Sequence, residues 1–185
     1  MSNQRKEARR QSRMVAFCGL MAALSTVIML LGGLIPIAVY VVPMFCGALL
    51  LPVMLEFGKK AAWATFLVTA ALALILGFDK EAAFFYLFTG YYPIVRWRFD
   101  RIKARPLRIL AKLLLFTLSI ALMYGCLYLL FPLHAAFGEF REMGIWLTIL
   151  SLVIFDVSML IYDVLLVRLI LIYANRIKPK LRFLH

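Results

Sequence analysis

Two aspartates stand seven residues apart in FDVSMLIYDVLLVR, residues 155–168, inside a stretch otherwise apolar enough to cross a lipid bilayer. Counted from Gly144 along a helix, Asp156 falls about 18 Å down the axis, near the bilayer midplane, and Asp163 about 29 Å down, near the far interface. A carboxylate at midplane costs roughly 2.5–3.5 kcal/mol on insertion scales, so Asp156 must be protonated, paired or wetted, and it must face the bundle interior. Seven residues is nearly two helical turns, which puts Asp156, Met159, Leu160 and Asp163 on one inward face. Asp163 reads as an interfacial acid facing Lys112 or Arg168. Asp156 reads either as a packing acid bonded to a hydroxyl on a neighbouring helix or as a polar anchor for a solute.

A second set of polar groups lies in GFDKEAAFFYLFTGYYP, residues 77–93. Asp79 and Glu81 open this segment, and Tyr86, Thr89, Tyr91 and Tyr92 give it hydrogen-bonding groups in an apolar setting. Tyr40, His134 and Glu139 fall near the level of the two acids. An aromatic belt accounts for Tyr91 and Tyr92. Tyr86 and Thr89 fit better in a pocket open to the exterior, with Tyr40, Asp79, Glu81 and Tyr86 as its candidate substrate-binding residues and Asp156 deeper in.

These residues need elements to hold them, and the composition says what kind. Of 185 residues, 65% are hydrophobic, above the roughly 45–50% of soluble domains, and the mean hydropathy is +0.94. The chain is expected to be an all-α polytopic membrane protein in the bacterial cytoplasmic membrane. No charge interrupts the run between Arg13 and Glu56, and as one helix it would measure about 63 Å, twice the bilayer core. It must fold back, and Gly32, Gly33 and Pro36 supply the turn. Six transmembrane helices are expected, near 14–34, 38–56, 60–78, 80–96, 107–131 and 145–172. They form a single domain over 14–175, between a basic segment, 1–13, and a basic tail, 176–185. The first helix reads as retained, because no short apolar region with a cleavage site is present.

The net charge of +12 is a matter of topology. With the N-terminus cytoplasmic, nineteen of the 21 Lys and Arg fall on the inner side, leaving Lys80 and Arg141 outside. That bias places both termini in the cytoplasm. Basic loops beside an anionic leaflet explain the charge without nucleic acid. Trp63 and Trp97 fall near the inner interface and Trp146 near the outer. Pro43 is expected to kink the second span toward neighbouring protein. Cys18, Cys46 and Cys126 read as small apolar residues, with no disulfide or metal expected of them.

No phosphate-binding loop, zinc-protease motif, serine-hydrolase elbow or metal-spaced carboxylate cluster is found. No enzyme activity and no cofactor are expected, and any ATP-driven transport must be powered by other subunits. Ala16, Gly19 and Ala23 form a small-residue stripe on the first helix, of the kind that admits another helix closely.

In organisation the chain resembles the substrate-binding (S) components of energy-coupling factor importers. The likeness rests on about 180 residues, six helices, both ends inside, the small-residue stripe, and a proline-rich second helix ending in LLLPVMLEFGKKAAW. The resemblance implies a solute pocket in the outer half of the bundle, no ATPase of its own, and docking onto a transmembrane coupling subunit driven by two cytoplasmic ATPases. It makes Gly19 and Ala23 the candidate docking residues, where Gly19 departs from the alanine of the family pattern. No metal-binding histidine is found near the N-terminus. The ligand class so implied is a small, vitamin-like solute. The alternative functions are a membrane scaffold or assembly factor, whose polar residues only fix helix packing, and an ion-coupled carrier using Asp156.

Overall fold

The structure, a computed structural model, describes residues 2–35, 38–77, 79–130 and 144–177. Every regular element among them is helical: α1 (Ser2–Gly32), α2 (Ala38–Ala48), α3 (Leu50–Phe57), α4 (Lys59–Leu76), α5 (Lys80–Thr89), α6 (Tyr92–Phe99), α7 (Arg105–Leu130) and α8 (Gly144–Ile172), which ends in a π-helical turn at Tyr173–Ile177. Five stretches are long and apolar enough to cross a membrane: Glu7–Gly32, Ala38–Phe57, Lys59–Leu76, Arg105–Leu127 and Leu152–Asn175. The protein is therefore a multi-pass helical membrane protein. Its many exposed large apolar side chains, such as Leu20, Leu67, Leu114 and Ile161, are those a lipid-facing surface requires.

α1 begins at Ser2 and runs without a break through the basic residues into the first span. Its Gln, Arg, Lys, Glu and Ala are strong helix formers, so helix persists where the apolar pattern stops. The chain reverses at Gly33, whose amide bonds the Met29 carbonyl at 3.0 Å. Gly58, with φ of +86°, makes the reversal between α3 and α4, a backbone setting that favours glycine.

Two of the expected spans are interrupted, and both interruptions have the same cause. α2 stops at Ala48, four residues before Pro52, and α5 stops at Thr89, four residues before Pro93. A proline lacks the N–H that residue i−4 would accept, and its ring collides with that carbonyl. At Pro52 the helix restarts after a single residue, and Ala38–Phe57 still forms one crossing. At Pro93 it restarts after Gly90 and Tyr91, so the expected span 80–96 divides into α5 and α6, neither long enough alone to cross.

The two interruptions touch. A Cβ placed on Gly47 would lie 3.2 Å from the Gly90 carbonyl oxygen and 3.0 Å from the Tyr162 hydroxyl, so a small residue here lets the backbones approach closely. α5 and α6 are also well enclosed, with Phe85, Tyr86, Tyr92 and Ile94 buried. Broken backbone at membrane depth is tolerated where protein surrounds it, and here α2, α4, α7 and α8 do so.

Candidate functional site

At the end of the bundle where α1 turns into α2, three helices converge on one carboxylate. Tyr40 of α2 donates to Oε1 of Glu81 at 2.8 Å, and Tyr124 of α7 donates to the same oxygen at 3.0 Å. The two hydroxyls lie 3.2 Å apart. Glu81 sits in the first turn of α5, where an acid suits the helix dipole. Asp79 is the N-cap of that helix, its Oδ1 accepting from the amides of Glu81 at 2.9 Å and Ala82 at 3.3 Å. Lys80 turns away and donates to the Leu74 carbonyl at 2.8 Å, satisfying the end of α4. The cluster so formed presents a carboxylate held by phenols, with Tyr40 40% exposed and edge-on to Phe85 at 5.2 Å between centroids. Chemically it is an acceptor in an aromatic frame.

Of the sequence-derived pocket residues, the structure brings Tyr40 and Glu81 into direct contact and places Asp79 beside them as a cap. Tyr86 stands apart: it is fully buried, against Phe66 of α4 at 5.4 Å. Asp156 lies elsewhere, against α7, where Thr117 donates to its Oδ2 at 3.3 Å. Its Oδ1 is buried with no hydrogen-bond partner among the described residues. His134, Glu139 and Arg141 lie outside the described residues.

Asp163 occupies the opposite end of the bundle as the hub of an ion network. Lys112 donates to Oδ2 at 2.7 Å, the Arg96 guanidinium pairs with Oδ1, and the Tyr92 hydroxyl donates to Oδ1 at 2.6 Å. Asp100 takes the second contact of both cations, 3.2 Å from Lys112 and 3.3 Å from Arg96. The Lys112 and Asp163 side chains are 5% and 14% exposed. Lys112 is one of the two partners expected, Arg168 being the other. Arg96 and Tyr92 were not anticipated, because the break at Pro93 sets the helical phase of α6. Two cations and two anions balance, so the network ties α6, α7 and α8 together and leaves no charge over for a ligand.

Ala16, Gly19 and Ala23 all face outward from the bundle, and a Cβ on Gly19 would meet nothing within 4 Å. Among the described residues, nothing packs against Gly19, and Ala16 and Ala23 are exposed. Cys46 is buried and Cys18 and Cys126 are half-buried, all three unpaired. No group of three His, Cys, Asp or Glu among the described residues is placed to hold a metal ion. No family model, curated protein or solved structure matches the chain.

Proposed function

We propose that the chain is the membrane-embedded solute-binding subunit of an importer of the energy-coupling factor type, in the bacterial cytoplasmic membrane. In this reading α5 and α6 together make the fourth of six crossings, and both termini are cytoplasmic. Glu81 bonds Tyr124 late in α7, and Arg96 pairs with the acid that Lys112 holds early in α7, so α5 and α6 run the length of the bundle beside it. The observation that supports the proposal is the convergence of Tyr40 and Tyr124 on one Glu81 oxygen, three helices meeting at the end of the bundle that this reading puts outside. A small, vitamin-like solute with a hydrogen-bond donor is captured there, Asp79 fixing the helix that presents Glu81. Asp156 contributes as a deeper polar anchor.

Energy comes from partners, a transmembrane coupling subunit and cytoplasmic ATPases. The outward stripe of Ala16, Gly19 and Ala23 is the docking face, since none of the described residues covers it. The test is thermal stabilisation of the detergent-solubilised protein by a panel of vitamins and their precursors. A saturable rise lost in Glu81→Ala supports the reading. A flat panel on folded protein contradicts it.

A further inference from the structure

The turn between α6 and α7 carries more positive charge than its surroundings neutralise. Residues 96–112 hold seven Lys and Arg and one acid, Asp100. Arg96 and Lys112 are taken up by Asp163, and Asp100 spends both of its oxygens on the same two cations. Arg98, Arg101, Lys103, Arg105 and Arg108 form no ion pair among the described residues. The first four are exposed and Arg108 is half-buried. Arg105 and Arg108 stand three apart where α7 opens, the positive end of its dipole, and no acid occupies the first turn. Like charges so placed repel one another and the dipole. An anion from outside the chain would offset both.

The position of the turn says which anion. α7 begins a membrane crossing at Arg105, so the turn lies where hydrocarbon gives way to headgroups. Trp97, next to Arg98, is 43% exposed, an amphipathic ring of the kind that settles at that level. The turn is also held in one shape. The Asp100 amide bonds the Arg96 carbonyl at 3.2 Å, the Ile102 amide bonds the Phe99 carbonyl at 3.0 Å, and the Asp100 carboxylate joins Arg96 of α6 to Lys112 of α7. Cations fixed in this way lose little freedom when a ligand arrives.

We propose that Trp97, Arg98, Arg101, Lys103 and Arg105 form a binding surface for the headgroup of an anionic phospholipid. The lipid phosphate sits among the cations and the indole among the upper acyl carbons. This is a located site, beyond the general attraction of basic loops to an acidic leaflet. α1 also exposes Arg5, Arg9, Arg10 and Arg13, but along a straight helical segment that contains Glu7 and no aromatic residue. Because Asp100 links the turn to the Asp163 network, a lipid bound here stabilises the junction of α6, α7 and α8. The surface stands whether or not the chain binds a solute.

Thermal unfolding of the delipidated full chain in a neutral detergent tests this. Phosphatidylglycerol in mixed micelles is expected to raise the midpoint by several degrees, saturably, and added salt should shrink the rise. Phosphatidylcholine and inorganic phosphate should produce no such rise. The variant Arg98→Gln/Arg101→Gln/Lys103→Gln/Arg105→Gln should lose most of it, while Arg5→Gln/Arg9→Gln/Arg10→Gln/Arg13→Gln keeps it. Should the first variant fail to fold, Arg101→Gln/Lys103→Gln, which alters only the turn, decides and should keep less than half of the rise. An equal rise with phosphatidylcholine or inorganic phosphate, no rise with phosphatidylglycerol, or equal losses in the α1 and turn variants overturns the site. A rise with heparin but not with phosphatidylglycerol assigns the surface to a soluble acidic partner and likewise overturns it.

Discussion

The Tyr40 hydroxyl meets Oε1 of Glu81 at 2.8 Å across 41 positions of sequence, and Tyr124 reaches the same oxygen from a third helix. Two donors sharing one acceptor are energetically coupled. Tyr40→Phe and Tyr124→Phe are each expected to cost about 0.5–1.5 kcal/mol, toward the lower end for Tyr40 because it is well exposed. In a double-mutant cycle on the unfolding midpoint the two should be non-additive. Strict additivity would mean that the phenols do not share Glu81.

The ion network predicts an asymmetry. Asp163→Ala strands two enclosed cations, for which about 3–5 kcal/mol is typical, lessened here because Asp100 still contacts both. Asp100→Ala leaves Asp163 in place and should cost clearly less. Comparing the two midpoints in detergent checks this, and equal losses would contradict the hub role of Asp163.

Glycines on two helices should respond in opposite ways. Gly47→Ala puts a methyl against the Gly90 backbone and the Tyr162 hydroxyl and is expected to destabilise by about 1–3 kcal/mol. Gly19→Leu meets open space and should leave the midpoint within a degree or two. On the proposed function it should nonetheless abolish co-purification with a coupling subunit. A stable association of Gly19→Leu with that subunit would remove the stripe from the docking face.

Among the described residues, Asp156 has one weak bond, from Thr117, and one buried oxygen without a partner. Replacing such a group with an apolar one of similar size is close to neutral for folding. Asp156→Leu is therefore expected to keep its unfolding midpoint while losing solute retention several-fold. Normal retention, or a protein that fails to insert, would return Asp156 to helix packing.

Hydropathy and charge placed most of the helices within a few residues, because lipid exposure imposes long apolar runs that proline and glycine end. The break in α5 was harder to read. Pro93 was in view, but whether a helix continues past a proline depends on what surrounds the freed carbonyl, which is a tertiary fact. The pairing of Asp163 was legible down to two candidates, Lys112 and Arg168, because only a few basic residues share that depth. Glu81 and Tyr86 were grouped as neighbours in sequence, yet five positions turn a helix by about 140°, and Tyr86 faces α4 while Glu81 faces α2 and α7. Tyr124 was missed for a related reason: a tyrosine in an apolar helix gives no sign of which neighbour its ring will reach.

The central claim is that the protein holds a solute, and native mass spectrometry of the full chain from mild detergent tests it most directly. The account predicts a stoichiometric non-lipid molecule released on unfolding, and its loss in Glu81→Ala at unchanged fold. Recovery of lipids alone, from wild-type protein that remains folded, would contradict it and favour a membrane scaffold whose polar residues only join helices.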